Sequence, residues 1–183
     1  MRDGDDISSR TSHRAVDALF LDYSAQIDRR KVIGPHEQVI RMSDDQTFLQ
    51  EFEAQRWPLD RWHHRDHLKL AYLYLRRYPF DDAAARIRDA IKAHNAAHDI
   101  PDSPTSGYHE TMTQAWLRLV DLILREYGPA ADADTFLDEH PELSQKKILR
   151  LFYSRQRFMS PEAKTSFVEP DLTPLPRSRA LSE

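Results

Sequence analysis

The stretch RWHHRDHLKLAYLYLRRY, Arg61 to Tyr78, sets His63, His64 and His67 within five residues and then turns apolar. On a helix, residues three or four apart share a face. His64 and His67 are therefore neighbours on a stripe that continues through Leu68, Ala71 and Leu75, while His63 sits nearer the helix start and is expected to be more exposed. A second polar turn, His109-Glu110 in GYHETMTQAW, leads into a face of Met112, Thr113, Trp116 and Val120. A third segment, AHNAAHD, carries His94 and His98 on the stripe begun by Ile87 and Ile91. Imidazoles with a carboxylate and no sulfur suit Fe(II), Mn(II), Zn(II) or Ni(II). Two histidines, one carboxylate and open positions describe oxygen-activating ferrous iron; three N/O ligands plus water describe catalytic zinc. The expected metal ligands are His64, His67, His98 and His109, with Glu110 as a further ligand or as the acid–base group.

Each of these residues has a plainer use. Glutamate is favoured at a helix N-terminus by the dipole, so Glu110 fits a first turn that His109 or Thr111 caps. Buried histidines commonly serve as hydrogen-bonded core residues. Asp66 is expected to meet Lys69 or solvent, and Arg65 to be solvated or to bind an anion. The His-Arg-Asp string lacks the following Asn and the Gly-rich loop of a kinase, which excludes that chemistry.

The elements that must position these residues read as helices. The chain has 183 residues, only 4 glycines and no cysteine, so disulfides, thiolate nucleophiles and cysteine metal sites are excluded. No segment alternates with a period of two over a useful length. The predicted architecture is all-α: a single-domain helical bundle over residues 43–176, an N-terminal extension over 1–42 with one amphipathic helix on Val16, Leu19, Phe20, Tyr23 and Ile27, and a proline-rich extended C-terminal tail ending in a mobile stretch, 177–183. Ser43 with Gln46 suggests a capping box for a short helix bearing Phe48, Leu49 and Phe52. Asp60 is the expected N-cap of the helix running to Tyr78, Asp81 or Asp82 that of the next, and a fourth helix starts near Tyr108. DIPDSPTSG, Asp99 to Gly107, reads as loop.

No apolar run is long enough to span a membrane and no signal core opens the chain, so a cytoplasmic protein is expected. A net charge of -4 argues against nucleic acid as a partner. KKILRLFYSRQR, Lys146 to Arg157, is a local basic exception expected on part of a helix.

Four strings together, WHHRDHLKLAYLYLRR, AHNAAHDI, SGYHETMTQAWLRLV and LFYSRQRFMSPEAKTSFVEPDLTPLP, resemble an uncharacterised bacterial family of small helical proteins. The shared pattern falls on Trp62, His64, Arg65, Asp66 and His67, on His98, on Tyr108 to Thr111, on Tyr153, Ser154 and Arg155, and on Pro170 to Leu172 with Pro174 to Pro176. The resemblance covers roughly residues 43–176, implies that His64 rather than His63 belongs to the shared string, and raises His98 above His94. It carries no activity with it.

The functional expectation is a metal-dependent enzyme acting on a small molecule: a non-haem iron oxygenase if the metal is Fe(II), or a hydrolase if it is Zn(II). Tyr108 and Tyr153 are expected to hydrogen-bond substrate or water, and Arg155 to hold an anionic group. Two alternatives stand beside it: a non-catalytic helical module that binds a small molecule or partner, and a metal-free enzyme with His109 or His64 as general base oriented by Glu110. The oligomeric state is left open.

Overall fold

The computed structural model describes residues 35–176, with side chains from Asp44 onward. These residues form an all-α bundle without a strand. Its helices are α1 (Pro35–Glu53), α2 (His64–Leu75), α3 (Phe80–Ala97), α4 (Glu110–Tyr127) and α5 (Ala133–Glu139), then two 3-10 turns, Pro141–Ser144 and Lys146–Leu151, the short α6 (Arg155–Phe158) and α7 (Pro161–Thr165), and an extended run to Pro176. The amphipathic helix expected on Val16 to Ile27 lies outside the described residues.

α2 is the axis. Leu68, Leu70, Ala71, Tyr72, Leu73 and Tyr74 are all buried, so the helix is covered on nearly every side, and it touches α3, α4 and α5. Its one buried cation, Lys69, is paired with Asp45 of α1 at 3.0 Å and Asp134 of α5 at 2.8 Å. Arg65 adds ion pairs to Asp134 and Asp138. Paired in this way, a charge on the central helix avoids the cost of an isolated buried ion.

Several predicted boundaries move. Ser43 and Gln46 lie inside α1 rather than at its start, because no glycine or proline interrupts the chain between Pro35 and Glu53. Asp60 does not cap α2: it belongs to a 3-10 turn, Leu59–Arg61, and the helix begins at His64. Its N-cap is His63, whose backbone N–H donates to the Asp66 carboxylate at 2.9 Å. α2 ends at Leu75, short of Tyr78. Asp81 and Asp82 sit in the first turn of α3 behind an N-cap Pro79. The basic stretch Lys146 to Arg157 spans a 3-10 turn and the start of α6, with no continuous helix across it.

The loop Asp99 to Gly107 forms as expected. Gly107 has φ +83, and a Cβ there would lie 2.8 Å from Asp102 Oδ1 and 2.9 Å from Asp102 Cα. Only glycine fits without displacing backbone. Lys164 of α7 clasps this loop, donating to Asp102 at 2.7 Å, to the Ser106 carbonyl at 2.8 Å and to the Tyr108 carbonyl. The C-terminal run is fixed on α4 by Thr111, which donates to the Ser166 carbonyl at 2.9 Å and accepts from Val168 N–H at 3.1 Å.

Candidate functional site

The first turn of α2 faces a cleft of two neighbouring chambers that share part of their lining. The inner one, about 280 Å³, lies among α2, α3, α4 and the 99–107 loop. The outer one, about 1020 Å³, lies between α2, α4 and the segment from Lys146 to Met159. Trp62, His64, His67, Met112 and Trp116 line both. Each histidine lies against an indole: His67 to Trp62 at 3.9 Å between ring centroids, His64 to Trp116 edge-on at 4.5 Å. His64 Nε2–H donates to the Leu143 carbonyl at 3.0 Å, which leaves the Nδ1 lone pair unspent. Neither ring nitrogen of His67 has a hydrogen-bonding partner among the described residues.

The same burial sets their charge. Desolvation, followed by the neighbouring His64 and His94 imidazoles and Lys146, pushes His67 down to about 3. Burial and Lys146 also lower His64, against the opposing bond to Leu143. Both imidazoles are neutral at physiological pH. They can accept a hydrogen bond, take up a proton from a bound molecule, or donate a lone pair to a metal.

His109 and Glu110 stand differently. His109 lines the inner chamber, but its Nδ1 accepts from Met112 N–H at 3.2 Å as the N-cap of α4, and its Nε2–H donates to the Phe158 carbonyl at 3.1 Å. Both nitrogens are used. Glu110 is buried and meets Arg88 of α3 through both oxygens, at 2.7 and 2.6 Å, with Gln114 donating to one of them at 2.6 Å. Burial alone would raise this carboxyl; Arg88, Gln114 and Tyr108 outweigh it and hold the group below the usual carboxylate range. Glu110 does not orient His109.

His98 Nδ1–H donates to the His94 carbonyl at 2.9 Å, ending α3. His94 itself is 0% exposed, stacked on Phe52 at 4.8 Å and beside His98 at 4.3 Å, with neither ring nitrogen hydrogen-bonded. Tyr108 is buried on the inner chamber wall, and burial raises its hydroxyl. Tyr153 lines the outer chamber but spends its hydroxyl on the Val168 carbonyl at 3.1 Å, and burial raises it to about 12. Arg155 is exposed at the outer chamber.

The structure thus brings His64, His67 and His109 to one cavity, with Tyr108, and places Glu110 and His98 on other duties. Among the described residues, no group of three or more His, Asp or Glu is arranged to hold a metal ion. The physical reason is that the bonds capping α4 and closing α3 consume the donors that the spacing offers. Asn95, Thr113 and Trp116 join the inner wall, and Lys146 and Arg150 the outer one, none of them expected from the sequence as a site residue. The basic stretch was the one signal pointing to the last two.

No protein-family model, no curated protein and no solved structure matches this chain. Among the described residues, no helix is long and apolar enough to cross a membrane.

Proposed function

We propose that the described bundle is a small-molecule-binding domain whose ligand lies against His64 and His67 between the indoles of Trp62 and Trp116. One observation carries this reading: two neutral imidazoles with unspent nitrogens stand where two chambers meet. Binding sites are concave and mostly apolar, with a few convergent polar groups. His64 Nδ1 and the two nitrogens of His67 have no partner among the described residues and line such a cavity, which leaves them capacity for a ligand. The test is fluorescence titration with the neutral dye N-phenyl-1-naphthylamine, against the parent chain and a Thr113→Trp variant that fills the inner chamber. Saturable binding lost in Thr113→Trp supports the site; a parent chain that does not bind, or a variant that binds as well, overturns it.

A second reading keeps the metal-dependent enzyme. It is favoured by the same depressed histidines, since the neutral imidazole is the metal-binding form. His64 through Nδ1 and His67 would hold Fe(II) or Zn(II), with the remaining positions left to water or the substrate. Bound iron would supply oxygen-dependent oxidation and zinc hydrolysis. Metal analysis of purified protein and after anaerobic loading tests it: if His64→Ala and His67→Ala leave the metal content unchanged, the reading fails.

A further inference from the structure

We infer that the cleft takes an organic anion with a flat apolar body, the ring in the inner chamber and the charge in the outer one. This rests on the reading of the cleft as a small-molecule site.

The two chambers differ in charge as well as in size. The inner wall carries Ile87, Ile91, Leu117 and the two indoles, and its histidines are held neutral, so it offers no full charge. Its volume of about 280 Å³ accommodates a ring with substituents, since cavities of about 150 Å³ accept benzene. Indole and imidazole faces favour stacked or edge-on aromatic contacts. The outer wall carries Lys146, Arg150 and Arg155 and no acidic residue. Elsewhere in the bundle Arg56, Arg65, Lys69, Arg88, Arg125, Arg157 and Lys164 meet carboxylates. Arg76, Arg86 and Lys92 lack a carboxylate partner among the described residues, but they stand apart and lie over tyrosine rings. Lys146, Arg150 and Arg155 are gathered on one wall, without an ion pair among the described residues. Like charges gathered beside a low-dielectric wall focus the field toward an anion, and the guanidinium fork suits carboxylates and related oxyanions. A ligand neutral at one end and anionic at the other matches this gradient; a cation, or a molecule charged along its length, does not.

The experiment compares two dyes that differ by one sulfonate, 1-anilinonaphthalene-8-sulfonate and neutral N-phenyl-1-naphthylamine, on the full chain. At low ionic strength the sulfonate should bind about 10-fold tighter, and this advantage should shrink severalfold in about 0.5 M salt. The variant Lys146→Gln/Arg150→Gln/Arg155→Gln changes only exposed side chains. It should bring the sulfonate down to the affinity of the neutral dye and leave the latter unchanged. Thr113→Trp should abolish both. Equal affinity of the two dyes for the parent chain, or an undiminished sulfonate advantage in the triple variant, overturns the anion inference alone. Sulfonate binding that survives Thr113→Trp overturns it too, by placing the dye outside the inner chamber. If neither dye binds the parent chain, the binding-site reading falls with it.

Discussion

Two helix starts in this bundle carry a histidine within one turn of other polar groups, and they have opposite fates. At α4, His109 has both nitrogens bonded to backbone and Glu110 has both oxygens on Arg88. At α2, the cap is formed by His63 and Asp66, which frees His64 and His67 to line the cleft with nitrogens to spare. Residue type is nearly the same at the two ends. What separates structural from available is how much hydrogen-bonding capacity remains after the helix has been started and packed.

Acidification probes the α2 side most strongly. The unfolded chain protonates its histidines near the ordinary value of about 6.5, whereas His67 in the fold does so only at about 3. Between those values the unfolded state binds more protons, so stability falls as pH drops through that window. The loss between pH 7 and pH 4 should be about 3 kcal/mol from His67, with His64, His94 and His109 shifting in the same direction. Urea denaturation across this range should show it, and His67→Gln should flatten the profile. An unchanged slope in that variant would remove His67 from the account.

The α4 side should instead respond to truncation at neutral pH. Glu110→Ala leaves Arg88 without its carboxylate; because that arginine is about a third exposed, water recovers part of the loss. A cost of about 2–3 kcal/mol in urea midpoint and slope analysis is expected. His67→Gln at pH 7 should cost under about 1 kcal/mol, having no bond to lose. If the two variants cost the same, the contrast between the helix starts collapses.

Smaller effects refine it. Gly107→Ala should cost about 1–2 kcal/mol, because the residue sits at φ +83 with Asp102 backbone close by. His94→Phe should be neutral or stabilising by up to about 1 kcal/mol, since it replaces two unbonded buried nitrogens with a ring of similar shape. Thermal melts suffice for both.

The inward face of His64 and His67 was legible because three-residue spacing survives any packing of the helix. The duty of Glu110 was not: Arg88 stands 22 positions away, and only the docking of α3 on α4 brings them together. The capping pair had a visible signal, an acidic residue three positions after His63, but the histidine at its head disguised it. The basic stretch was legible as charge and misread as shape. The chain leaves helical form at Gln145 and again at Tyr153 and Ser154, so the stretch is a 3-10 turn followed by a short helix, and Lys146, Arg150 and Arg155 line the same chamber. The all-α class, by contrast, follows from composition and periodicity alone.

The clasp by Lys164 sets the shape of one wall of the inner chamber. Ile100, Gly107 and Tyr108 belong to the loop side of the inner chamber, and one ammonium ties that side to α7. In the binding reading proposed above, a loop pinned by one ammonium keeps the inner chamber in shape before any ligand arrives, and such preorganisation spares the ligand the cost of ordering it. Lys164→Met would release the loop, and both dyes would then bind more weakly.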